Sequence, residues 1–177
     1  MAASTLVPLR EYLETTYRPD RDWIEGEVRE RNTGGQPHAS VQGFFTRLFG
    51  NHGVEWGIRV FPEQRVQTSA EHYRIADVCV VRRSTRMEPI VRTPPLLCIE
   101  ILSRDDRMSE MQERVDDYLA MGVENVWVVD PRRRRAYALD REGGLKPALE
   151  TLMIEGTAIK ISIAEVFAEL EEMERQL

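Results

Sequence analysis

Three short apolar runs constrain this chain most. They are Val78-Cys79-Val80-Val81, Leu96 to Leu102, and Asn125 to Val129. Strands that read as continuous apolar runs are those covered on both faces. Between the second and third lies Arg107 to Met121, where Met108, Met111, Val115, Tyr118 and Leu119 recur at helical spacing and Gly122 stands ready as a C-cap. A strand, helix and strand of these lengths form a crossover between parallel neighbours. The chain is therefore expected to be α/β, with a mixed sheet of α+β-like character.

The flanking segments fill in the order. Leu9 to Tyr17 predicts a short helix that ends before Pro19. Trp23 to Val28 predicts a strand, and Thr33-Gly34-Gly35-Gln36-Pro37 a break. His38 to Asn51 carries Val41, Phe44, Phe45, Leu48 and Phe49 on one helical face. Ile58 to Phe61 and Gln64 to Gln67 predict two short strands turned at Pro62. Tyr73 to Val81 is a strand, and Arg135 to Leu139 with Leu145 to Leu149 a hairpin. A strand near Ala158 to Ile161 leads into Ser162 and Glu165, a capping box that opens the last helix.

At 177 residues the chain is expected to form one domain, 1–177, able to bury a core without disulfides or metal staples. Cys79 and Cys98 sit inside apolar runs and read as buried free thiols. No export signal is visible at the N-terminus, and no apolar stretch reaches the roughly 18 residues of a membrane span. The expected location is the cytoplasm, with no membrane partner. The net charge of −6 does not advertise tight non-specific binding to nucleic acid, although charge is local. The cations are nearly all arginine: Lys146 and Lys160 are the only lysines.

The sequence lacks a Walker A loop, GxGxxG, HExxH, GxSxG and any zinc-type Cys/His spacing. What stands out is a pair of acids inside apolar strands, Asp77 and Glu100. Carboxylates are rarely buried unless paired or bound to metal. Two on neighbouring strands make a hard-oxygen site for Mg²⁺, suited to phosphodiester chemistry. The plainer reading is a pair of ion-paired acids near strand ends, with Arg74 or Arg114 as partners. The isolated residues leave both open.

The order of the whole set resembles one family. Asp77, the Ile99-Glu100-Ile101-Leu102-Ser103 strand, the helix ending Tyr118-Leu119-Ala120-Met121-Gly122, and Val126-Trp127-Val128-Val129-Asp130-Pro131 are similar to the Uma-type restriction endonuclease family of the PD-(D/E)XK superfamily. Asp22-Trp23-Ile24-Glu25-Gly26-Glu27 and His38 resemble its N-terminal part, and Gly156 to Phe167 its closing segment. The resemblance runs from about Leu6 to Leu170. It implies a restriction-endonuclease-like core with flanking helices and extra β-hairpins. It also implies Mg²⁺ (or Mn²⁺) held by Asp77, Glu100 and the main-chain carbonyl of Ile101, a DNA substrate, and a homodimer. Asp22, Glu27 and His38 would stand behind the ligands.

The departures fall on the expected lysine. The superfamily's commonest position is Leu102 here, and the family's helical position is Arg114. Arginine cannot act as a base, but it can hold a phosphate and stabilise negative charge. Ala76 replaces the motif proline, and Asp22 replaces a glutamate. Arg74, Arg82, Arg83 and Arg86 are candidate phosphate contacts, and Arg132 to Arg135 form a second basic cluster. The missing lysine leaves an alternative function, a catalytically attenuated nuclease-like protein that acts as a binding module.

Overall fold

A computed structural model describes residues 6–32, 34–140 and 142–175. Its central sheet runs β2(Glu27–Arg29), β1(Asp22–Ile24), β4(His72–Arg82), β5(Leu97–Ile101), β6(Val126–Asp130), β7(Arg135–Leu139), β8(Leu145–Ala148), with β3(Ile58–Gln67) paired to β4. Among the described strands only β5 and β6 form a parallel ladder, joined by α3(Met108–Met121) as the apolar runs require. A separate two-stranded sheet, β9(Thr151–Met153) and β10(Lys160–Ser162), precedes α4(Ile163–Arg175). The remaining helices are α1(Leu9–Glu14) and α2(Gln36–Asn51).

Alternation along the strands divides the core into two layers. Val78, Val80, Leu97, Ile99, Ile101, Trp127 and Val129 meet α2 and α4 through Phe45, Phe49, Val166, Phe167 and Leu170. Cys79, Val81, Cys98, Val126 and Val128 meet α3 through Met111, Val115 and Tyr118. Each fully buried large side chain in these layers contributes roughly 1.5–3 kcal/mol. Both cysteines are free and buried, as expected. Gly122 takes the left-handed conformation that ends α3, with φ of 97°. At α4, the Glu165 carboxylate accepts the Ser162 main-chain N–H at 3.1 Å, one half of a capping box.

Two expectations need correction. Trp23 to Val28 is not one strand: it is the hairpin β1–β2, folded back at Glu25 and Gly26, both with positive φ. Glutamate at the first of these positions hid the turn, because the usual signal there is Asn or Asp. Ile58 to Gln67 is one strand, not two. Pro62 is tolerated because β4 is the strand that β3 pairs with there, and an edge strand can spare an N–H.

Candidate active site

The site opens where β4 and β5 part. Their ladder runs through Val80↔Leu97, Cys79↔Cys98 and Val78↔Ile99. One step further Asp77 would face Glu100, but the strands separate. The Ile101 N–H there donates to Asp77 Oδ2 at 2.7 Å instead of to a strand neighbour. The carboxylate thus acts as a wedge between the strands. A cavity of about 20 Å³ lies behind it, lined by Arg31, His38, Asp77, Glu100, Ile101 and Arg114 among others. That is room for one water or one ion.

Both acids are buried, and both are ion-paired. Glu100 Oε1 accepts the Tyr118 hydroxyl at 2.6 Å, and Oε2 lies 3.6 Å from Arg114. Arg114 also reaches Asp22 Oδ2 at 2.8 Å. The same oxygen of Asp22 takes Arg74 at 3.1 Å, and its other oxygen accepts the Ile75 N–H at 2.9 Å. Arg74 continues to Asp117 at 2.6 Å, and Asp117 to His72 at 2.8 Å. Of the partners the sequence offered for this acid pair, Arg114 meets Glu100, while Arg74 is taken up by Asp22 and Asp117.

Asp77 is held by a residue the sequence gave no reason to choose. Arg31, on the irregular segment after β2, donates to Asp77 Oδ1 and to Glu63 Oε2, the latter at 2.5 Å. Glu63 lies on β3 beside Asp77. It also accepts Gln42 at 2.6 Å, and Gln42 donates in turn to the Asp77 main-chain carbonyl at 3.0 Å. His38, one helical turn before Gln42 on α2, stands 3.4 Å from Asp77 Oδ2.

This arrangement separates the two carboxyls. Burial works against ionised Asp77, but the bond to His38, the Arg31 guanidinium and the Ile101 N–H outweigh it and hold Asp77 below 3.8. Burial, with Asp77 adding to it, lifts Glu100 from 4.5 to about 7 against Arg114, Arg31 and Tyr118. Burial opposes protonated His38 too, yet the bond and charge of Asp77 raise it above 6.5. The ionised form of Asp77 is thus favoured, while Glu100 is pushed up to about 7.

Asp22, Arg74, Asp77, Glu100, Arg114 and His38 therefore converge. The other candidates do not. Glu27 sits half-exposed on β2 beside Arg29. Arg82 ends β4, five residues from Asp77 and roughly 16 Å along the strand. Arg83 and Arg86 lie beyond it. Arg134 folds back onto the Pro131 carbonyl and Glu174. The pull of the basic cluster after Val81 was a sequence proximity that an extended strand converts into distance.

A larger groove of about 340 Å³ adjoins the site, lined by Asp22, Arg29, Arg31, Arg74, Arg107 and Arg114 with interspersed acids. Sequence reasoning missed Arg31, Gln42, Glu63 and the Tyr118 hydroxyl. The last left a trace, since a tyrosine in a stripe of aliphatic residues needs a partner for its hydroxyl.

A family model described as "Uma2: Putative restriction endonuclease" matches residues 9–171. The chain belongs to that family. Membership in the Uma2 family supports a nuclease. A crystal structure of "a putative nuclease belonging to DUF820" from Anabaena variabilis superposes with a TM-score of 0.81 at 20% identity, over 93% of this chain and 99% of that one. That match establishes a shared fold. A cryo-EM structure of a DrdV–DNA complex aligns at a TM-score of 0.43 and 14% identity, over 77% of this chain and 11% of that one, and carries no weight at that level. No protein of curated function matches the sequence. No helix among the described residues is long and apolar enough to cross a membrane.

Proposed function

We propose that this chain is a Mg²⁺- or Mn²⁺-dependent endonuclease that hydrolyses phosphodiester bonds of DNA, acting as a single domain and as a homodimer. The observation that carries the reading is the wedge at Asp77. Two buried carboxylates on adjacent strands flank a cavity the size of one ion, in a chain of the Uma2 family. Among the described residues no group of three or more His, Cys, Asp or Glu side chains is placed to hold a metal ion by itself. The donor set is two hard carboxylate oxygens, from Asp77 and Glu100, completed by the main-chain carbonyl of Ile101. That set fits a small divalent cation, which keeps part of its water shell and binds through one or two carboxylates.

A divalent cation in that position supplies a nucleophile at neutral pH and offsets charge that builds on the phosphate. The chain's own residues do the rest. Asp77 stays ionised and fixed by the Ile101 N–H. Arg114, held between Asp22 and Glu100, presents a permanent positive charge that can stabilise the developing phosphorane charge but cannot relay a proton. His38, whose protonated form is favoured by the bond and charge of Asp77, is a neighbouring group able to carry a proton. The arginine-lined groove offers room for the phosphodiester chain.

The test is nicking of supercoiled plasmid with Mg²⁺ or Mn²⁺. The wild type should nick, and Asp77→Asn should not while remaining folded. Inactivity of folded wild type would refute the reading. The second reading, a nuclease-like binding module, is favoured by one observation: guanidinium groups already occupy both carboxylates. If the wild type is inert and Arg114→Lys cuts, the fold is competent and its natural activity is attenuated. If both are inert although metal binds, the binding module is the better account.

A further inference from the structure

We infer that Arg31 is a cation gate: its guanidinium fills the place on Asp77 that a divalent metal would take, and metal enters by displacing it. This rests on the metal site proposed above. Asp77 has two oxygens with different duties. Oδ2 is committed to the Ile101 N–H and faces His38. Oδ1 is the oxygen left for an incoming cation, and that is where Arg31 sits.

Three features make Arg31 a gate rather than a fixed strut. It comes from a segment outside any helix or strand, unlike Arg74 on β4 and Arg114 on α3. Like Arg114, it lines both the 20 Å³ cavity and the 340 Å³ groove, so a guanidinium released from Asp77 has the groove to move into. Its second partner, Glu63, has a side chain 44% exposed, against 3% for Asp77, so half of its anchorage lies toward solvent.

Charge supplies the driving force. Around the cavity, Asp77, Glu100 and Asp106 face Arg31, Arg114 and His38, which is a neutral set when all six are charged. A divalent ion added to it leaves an excess of two positive charges in a partly desolvated pocket, where like charges repel strongly. The excess falls if the Arg31 head swings out, and falls further if a phosphodiester enters the groove. Of the two arginines, Arg31 is the one to yield, because its outer partner Glu63 faces solvent whereas Arg114 is pinned by buried Asp22. A phosphodiester in the groove should accordingly strengthen metal binding, with the released guanidinium turned toward the groove.

The experiment is calorimetric titration of the metal-stripped full chain with Mn²⁺, without DNA. Arg31→Gln removes the competing charge and keeps a polar side chain. It should bind Mn²⁺ about tenfold more tightly than wild type or better. Glu63→Gln weakens the outer anchor of Arg31 while keeping an oxygen for Gln42, and should fall between the two, which guards against a folding defect specific to position 31. Melting of each metal-free variant verifies the fold. Equal or weaker Mn²⁺ affinity in both folded variants would overturn the gate and leave the metal site standing. Absence of Mn²⁺ binding at millimolar concentration in all three proteins would overturn the metal site, and the gate with it.

Discussion

Replacing Glu100 by Gln should stabilise the metal-free protein at pH 8 and change it little at pH 5. In the folded chain burial and the nearby Asp77 charge lift this carboxyl to about 7, whereas in the unfolded chain it ionises near 4.5. Between those values the folded state keeps a proton that the unfolded state has released. Stability from Glu100 is therefore full below about 4.5 and is lost as the pH climbs through 7. The displacement corresponds to about 3 kcal/mol at pH 8 and to less than about 1 kcal/mol at pH 5. Gln mimics the neutral carboxyl and still accepts the Tyr118 hydroxyl, so it escapes that penalty. For a chain of this size the gain at pH 8 amounts to roughly 5–10 °C in melting temperature. His38 titrates in both proteins, so the difference between them isolates Glu100. The assay is thermal melting of both proteins at pH 5 and pH 8 in chelator. An equal offset at the two pH values, or destabilisation by Gln at both, would refute the reasoning. Added Mn²⁺ should reverse the order at pH 8, because only the wild type keeps both carboxylate donors.

Three further outcomes follow from the same geometry. Tyr118→Phe removes the 2.6 Å bond to Glu100 and leaves a buried carboxyl oxygen short of a donor; urea unfolding should show a loss of about 1–3 kcal/mol, and the pH window above should move upward, since the hydroxyl holds that carboxyl down. Gly122→Ala meets only ordinary contact with Pro94, so its cost is the strain of φ at 97°, about 1–2 kcal/mol by the same measurement. Arg82→Ala combined with Arg83→Ala should leave plasmid nicking unchanged, because both lie at the far end of β4 from Asp77.

The parts of the fold legible in the sequence are those set by local rules. The β5–α3–β6 crossover, the left-handed stop at Gly122, the half-box at Ser162 and Glu165 and the hairpin β7–β8 each follow from periodicity or turn chemistry within a few residues. What escaped depends on register between distant segments. Glu63 reads as one more polar residue in a broken strand until β3 is laid against β4, which puts it beside Asp77. Arg31 stands in a segment with no periodicity, and nothing in its neighbours says which acid it will find 46 residues on. The acids Asp77 and Glu100 were visible for the opposite reason: a carboxylate inside an apolar strand contradicts its surroundings, and the contradiction is itself the signal.

The two departures from the family pattern in this site compensate each other in space. The resemblance places a glutamate where Asp22 stands and a lysine where Arg114 stands. Asp22 is one methylene shorter, and it is drawn back against β4 by the Ile75 N–H. A residue on α3 must therefore reach further to meet it. Arginine does so, and its forked head spans two carboxylates at once, 2.8 Å from Asp22 and 3.6 Å from Glu100. A lysine ammonium is a single point on a shorter stem and would have to choose between them. The arginine thus ties the acid behind the site to the acid within it, and Arg74 carries the tie on to Asp117 and His72. The cost is chemical. A group that never loses its proton can stabilise charge on a phosphate but cannot exchange protons with it, which leaves that exchange to the titrating side chains beside it, His38 and Glu100.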